Sequence, residues 1–168
     1  MTEPLEVVAD ILRHCLGLAK DQVVLYNQKF LIPPDDRMYA SVGIIGVKTF
    51  GAATRFVVDP VSGELRESQS VNRLELLSVS LYSRSPAARQ RNWEVAAALV
   101  SAYSQQRQEA HQLRIARFPT AMSDVSQVEG AARLNRYVLT IPVQASYTKV
   151  QPTEYFDAFP PPVVYTNA

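Results

Sequence analysis

The sequence predicts a single α+β domain in 168 residues. Three observations carry this. From Tyr137 every second residue is apolar or aromatic (Tyr137, Leu139, Ile141, Val143, Ala145, Tyr147). The residues between them are mostly polar, which is the period of a long strand with one buried face. Near the start, Leu5, Val8, Ile11, Leu12, Cys15 and Leu16 recur at helical spacing. A second apolar stripe at helical spacing follows Ser85-Pro86.

The first helix is predicted over Pro4 to Leu18, with Pro4 in its first turn, Thr2 or Glu3 as cap and Gly17 as its stop. Glu3, Glu6 and Asp10 near its start and Arg13 and His14 near its end suit the helix dipole. Val23 to Tyr26 reads as a short strand. Pro33-Pro34-Asp35-Asp36 then forces an extended loop. Arg37 to Phe50 is strand-like, and Gly43 and Gly46 inside it point to a bulge or a close backbone approach.

Gly51 to Gln69 reads as a projecting hairpin turned at Asp59-Pro60-Val61-Ser62-Gly63, with arms too polar for a core. Val71 to Tyr82 is a second long strand. Leu77, Val79 and Leu81 share one face, and the broken alternation at Leu76-Leu77 predicts a bulge or two-sided burial there. Ser85 is expected to cap the main helix, which runs to about Ala110. Trp93, Ala96, Ala97, Val100 and Tyr103 lie on one side, widened by Val95 and Leu99, as suits a helix laid across a sheet. Short strands are expected at Leu113 to Phe118 and Met122 to Val128, before the long strand Arg133 to Val150. Pro142 lacks an N–H and predicts an edge position or a bulge in that strand. From Gln151 on, Pro152 and Pro160-Pro161-Pro162 leave an extended tail. The division is therefore a domain over 1–150 and an arm over 151–168.

Bulk properties narrow the function classes. A hydrophobic content of 47% marks a globular chain. Seventeen basic against sixteen acidic residues argue against a dedicated nucleic-acid binder and are compatible with self-association. The single cysteine, Cys15, excludes an internal disulfide and a cysteine-based zinc site. No apolar run approaches the roughly 18 residues of a membrane span. Thr2, Glu3 and Pro4 lack the basic character of a signal peptide, so a soluble, cytoplasmically made chain is expected.

Catalytic signatures are missing. There is no G-x-S-x-G elbow, phosphate loop, G-x-G-x-x-G or H-E-x-x-H, and His14 and His111 have no ligand-spaced partner. Neither a catalytic residue, nor a metal, nor a cofactor is expected. Asp35-Asp36 reads as a solvated loop rather than a metal pair, because neighbours in an extended segment point apart. Cys15 reads as an inert core thiol and Trp93 as a core residue rather than a ligand platform. Arg84, Arg89 and Arg91 crowd the start of the main helix against its dipole. A solvated face with local partners such as Glu94 is the plain reading; an acidic partner surface is the sharper one, and phosphate contact a third. The aromatic tail residues Tyr155, Phe156, Phe159 and Tyr165 must pack on their own domain or on a neighbour, and the prolines favour the neighbour.

Three blocks, in order, resemble the tail-terminator (neck) proteins of long-tailed bacteriophages. They are Asn27-Gln28 then Pro33-Pro34 then Tyr39 entering a strand; the strand Leu74 to Tyr82 running into a helix through Ser85-Pro86-Ala87; and a short strand ending near Asp124-Val125 followed by the long strand introduced by Arg133, Arg136 and Tyr137. The likeness covers roughly residues 5 to 150. It implies an antiparallel-rich mixed sheet with the two main helices on one face, and a non-enzymatic homohexameric ring on the end of the tail tube. It further implies that the ring stops tube polymerisation and docks the head-side connector or adaptor, with the sheath as a further neighbour and DNA only passing through the lumen. The location it implies is the tail or neck of a virion assembled in the host cytoplasm.

Three contact regions follow as expectations. They are the hairpin Gly51–Gln69 with Arg55, Glu64 and Arg66, the helix start with Arg84, Arg89 and Arg91, and the arm from Tyr155 to Tyr165. Two other readings are a head–tail adaptor or tail-completion protein on the head side, and a small enzyme or ligand-binding domain using the Pro33–Asp36 loop.

Overall fold

A computed structural model describes residues 3–25, 31–116, 121–129 and 132–153. Asn27-Gln28 and the arm's aromatic residues lie outside them. Helix α1 (Pro4–Leu16) ends at Gly17, whose φ of 65 is the left-handed stop the sequence expects. A 3-10 turn (Lys20–Gln22) leads to β1 (Val23–Leu25). Strands β2 (Tyr39–Val58) and β3 (Leu65–Ser83) form one long hairpin. Helices α2 (Ala87–Val100) and α3 (Ala102–Ala110), the short strands β4 (Leu113–Ile115), β5 (Ser123–Asp124) and β6 (Gln127–Glu129), and β7 (Ala132–Pro152) follow.

The strand order is β1-β2-β3-β7-β4, with β5 and β6 also on β7. Among the described residues only β1 to β2 is parallel. The helices pack on one face, so the α+β architecture with an antiparallel-rich mixed sheet is as expected. The alternation of β7 is also as read: Tyr137, Leu139, Ile141 and Val143 are buried beneath the helices. They join Leu77, Val79 and Leu81 of β3, Ala40 and Val42 of β2, and Leu5, Val8, Ile11 and Leu12 of α1 in one core.

Several expectations need correction. The hairpin is no separate excursion. It is the far half of β2 and β3, which pair from Tyr39 opposite Tyr82 to Val58 opposite Leu65 with two register shifts on the way. The irregularity at Leu76-Leu77 belongs to the partner strand. β3 continues in register with β7 through Leu77–Ile141 and Leu76–Pro142, while β2 carries an extra residue, Ile45, between Ile44 and Gly46. A second extra residue, Phe50, precedes Gly51; Gly43 marks no bulge. β7 runs to Pro152, two residues into the expected tail.

Pro142 is not on an edge. It lies between β3 and β4 and accepts a hydrogen bond from Ala116 N–H at 2.9 Å. The N–H and C=O of a strand residue point to the same side, so the donor that proline lacks faces β4 just where β4 ends. The missing hydrogen bond falls at the end of a ladder.

The main helix breaks at Ser101, whose ψ of 159 is extended and whose hydroxyl accepts the Ser104 N–H at 3.1 Å as the cap of α3. Pro86, not Ser85, is the residue before α2. The Ser83 hydroxyl takes the Ala88 N–H at 3.0 Å and Ser85 the Ala87 N–H at 3.3 Å. Trp93 is not core. α2 buries Ala88, Val95, Ala98 and Leu99, the two alanines leaving room for close packing, and Trp93 projects from the opposite arc, 64% exposed. Cys15 is also exposed. It sits on the last turn of α1, beside the α2–α3 corner, with Sγ 3.5 Å from Ser101 Oγ.

Candidate functional site

The helices cover only part of the long strands. Beyond Ile44, Glu75 and Val143, β2, β3 and β7 continue as a three-stranded ribbon, with most side chains exposed on the outer strands β2 and β7 and half-buried on β3 between them. At the shoulder, Glu75 is 2% exposed on the helix-bearing face. Tyr147 Oη donates to Glu75 Oε1 at 2.6 Å; the Arg73 guanidinium lies 3.8 Å from the same oxygen and 5.0 Å from the Tyr147 ring centroid. Burial, then the hydrogen bond to Glu75, push the Tyr147 phenol up to about 12.

Past this shoulder the ribbon carries Val47, Phe56 and Val58 on the same face, and the two bulge residues Ile45 and Phe50, all exposed. Phe56 is 61% exposed and Val61, at the turn, 95%. β1 pairs only with Ala40 to Val42, so from Gly43 to Val58 the outer edge of β2 has no strand partner among the described residues. A long open edge with apolar side chains is unusual in a chain that stays alone in water. The turn itself is closed by Asp59. Asp59 accepts the N–H groups of Val61 and Ser62, which hold its carboxyl below the usual carboxylate range, and Arg66 pairs with it at 2.9 Å.

The second exposed feature is the outer arc of α2. Pro86, Arg89, Trp93, Ala97 and Val100 follow one another at steps of three and four residues, all exposed. Beside it, a groove of about 580 Å³ between α3 and β4 is lined by Leu99, Val100, Gln105, Gln108, Arg114 and Ile115, with no acid–base pair among them.

The Pro33–Asp36 loop is structural. Asp35 accepts the Tyr39 hydroxyl at 2.7 Å and Arg37 Nε at 2.9 Å, and these two bonds, Tyr39 first, hold its carboxyl below the usual range. The Asp36 carbonyl accepts the Ser85 hydroxyl at 2.8 Å, which ties the loop to the start of α2. Among the described residues no three histidine, cysteine, aspartate or glutamate side chains converge to hold a metal ion. No helix among them is long and apolar enough to cross a membrane.

The sequence-predicted contact residues fall in separate places. Arg55 is exposed on β2, Glu64 is exposed where the turn enters β3, and Arg66 is held by Asp59. Arg84 is half-buried before α2 and Arg89 is exposed on it. Arg91 is a strut: it grips Glu94 at 2.7 Å and donates to the Leu16 carbonyl at 2.8 Å, joining α2 to the end of α1. The local partner expected for it is thus present. Tyr155, Phe156, Phe159 and Tyr165 lie outside the described residues. The sequence places Phe56 and Val58 on an exposed hairpin arm, but its polar majority hides them as apolar contact residues; Phe50 falls in the strand before it. Reading from sequence missed Trp93 because both arcs of α2 carry apolar residues.

No family model matches the chain, and no curated protein does. Among solved structures the chain is similar to the sheath/tube terminator of an extracellular contractile injection system, PVC, in its extended state, determined by cryo-EM. The TM-score is 0.36 and the identity 15%, and the match covers 100% of this chain. The chain spans 65% of the length of that structure.

Proposed function

We propose that this chain is a structural subunit, a tail terminator that closes into a homohexameric ring on the end of a phage tail tube. In this reading the ring stops tube polymerisation, meets the sheath where one is present, and presents the surface to which the head-side connector docks. The observation that carries it is the ribbon. A domain with a core of its own extends three strands past its helices, and the outer one, β2, carries Val47, Phe50, Phe56 and Val58 in solvent. Apolar surface arranged along an open strand edge is the material of a protein–protein interface. The three sequence blocks that resemble tail terminators support the same reading, and the second is the β3-to-α2 passage through Ser85-Pro86-Ala87.

Size-exclusion chromatography with light scattering tests the ring: a hexamer, or concentration-driven assembly to one, is expected. Deleting the gene tests the station, with tails of uncontrolled length as the expected phenotype in electron micrographs. Tails of normal length that fail to join heads would move the subunit to the head side of the joint. A chain that stays monomeric at high concentration would sink the ring.

A further inference from the structure

We infer that the hairpin tip of one copy seats on the outer arc of α2 of a second copy, with Trp93 at the centre of the contact. This rests on the ring reading above and names the surfaces that build it.

The two surfaces match in character. The tip offers Phe56, Val58 and Val61 in solvent, and α2 offers Trp93, Ala97 and Val100. Exposed tryptophan flanked by aliphatic side chains is the composition of a binding hot spot. The charges match in sign. From Asp59 to Glu67 the tip carries three carboxylates against one guanidinium; on α2, Arg89 and Arg91 stand against Glu94, with Arg84 just before the helix. Within each surface one pair is already made, Arg66 with Asp59 and Arg91 with Glu94. Glu64 and Arg89 are both exposed, and among the described residues neither is in an ion pair.

Geometry makes the contact intermolecular. From Arg66 near the tip to Ser83 beside the start of α2, β3 extends roughly 55 Å at about 3.3 Å per residue. α2 itself is about 21 Å long at 1.5 Å per residue. Even lying straight back along the strand it ends roughly 30 Å short of the tip, so one chain cannot bring the two together. The contact joins different surfaces of two copies, and such a heterologous contact generates a ring when its rotation closes.

Trp93 is the only tryptophan in the chain, so its fluorescence reports this contact directly. On dilution from the assembled state the emission should move to the red in step with dissociation measured by light scattering. Glu64→Arg and Arg89→Glu, both surface changes, should each weaken assembly about tenfold or more. Trp93→Ala should weaken it about thirtyfold. Mixing the two charge variants should restore assembly, because every interface in an alternating ring then joins opposite charges. Assembly with unchanged Trp93 emission, or unaffected by either charge reversal, would overturn the contact and leave the ring intact. Loss of the emission change on removing residues 154–168, with Glu64→Arg silent, would give the α2 arc to the C-terminal arm instead. A protein monomeric at every concentration would remove both the contact and the ring.

Discussion

The Tyr147 hydroxyl reaches across from β7 to donate to Glu75 of β3 at 2.6 Å, and Glu75 is almost wholly buried. The pair stands where the helix-covered sheet becomes the ribbon. Removing the hydroxyl leaves a buried carboxylate oxygen short of a donor, with only Arg73 at 3.8 Å nearby. Tyr147→Phe should therefore lower stability by about 1–3 kcal/mol in urea unfolding. Adding Glu75→Gln to the Tyr147→Phe variant should recover part of that loss, since no charge then remains to be satisfied. A Tyr147→Phe protein as stable as the parent would show that water or Arg73 already satisfies Glu75.

Burial of Tyr147, together with this bond, sets an alkaline limb. A phenol pushed up to about 12 is favoured in its neutral form by the fold, so its stabilising effect is complete below the unfolded value near 10. It is lost as pH rises through the folded value. Phenolate absorbance of the parent minus that of Tyr147→Phe should show one tyrosine titrating near 12, among eight in the chain. A difference curve centred near 10 would mean that the Tyr147 phenol is neither buried nor held by Glu75.

Asp35 works in the opposite direction. Tyr39 and Arg37 hold its carboxyl below the ordinary range, so the folded state favours the ionised form. That stabilisation is present above the unfolded pKa and is lost as pH falls through the folded one. Asp35→Asn should melt below the parent at neutral pH, and the gap in Tm should close as pH falls below about 4. A gap of constant size down to acid pH would assign the loss to geometry rather than charge.

The long-range strands were legible where a local period determined them. The faces of β7 and the Leu77-Val79-Leu81 set of β3 follow from alternation alone, and the stop of α1 from Gly17. What was not legible depends on register or on a second element. Tyr147 and Glu75 are far apart in sequence, and only the β3–β7 register makes them neighbours. Pro142 looked like an edge residue because nothing local says that β4 ends opposite it. Trp93 was misplaced because the small residues Ala88 and Ala98 allow a close approach that a tryptophan would prevent. The Ser101 break did carry a signal, a serine ahead of the polar run Ser104 to Glu109. Within the expected contact regions Arg55, Glu64 and Arg89 are exposed while Arg66, Arg84 and Arg91 are half-buried, and the apolar residues beside them stand out only once the reach of the helices is known.

Gly17 provides a backbone test independent of any partner. Its φ of 65 lies in the left-handed region, and a Cβ built there meets nothing within 4 Å. Any loss on substitution is therefore conformational rather than steric. Gly17→Ala should destabilise by about 1 kcal/mol, while Gly43→Ala, in an extended strand with equally open space, should be near neutral or slightly stabilising. Equal effects at the two sites in thermal melts would contradict the left-handed stop of α1.

Two apolar residues on the same long hairpin separate folding from assembly. Leu77 is fully buried in the core, and Phe56 stands mostly in solvent toward the tip. Leu77→Ala leaves a cavity under the helices and should cost about 2–5 kcal/mol in monomer stability. Phe56→Ser removes no core contact and should change monomer unfolding by no more than about 0.5 kcal/mol. Its effect should instead appear in light scattering, as assembly shifted to higher concentration, if a neighbouring chain covers the ribbon as proposed. A Phe56→Ser protein that loses core stability as Leu77→Ala does would mean that Phe56 packs within its own subunit. The ribbon would then be part of the fold rather than a surface kept for a neighbour.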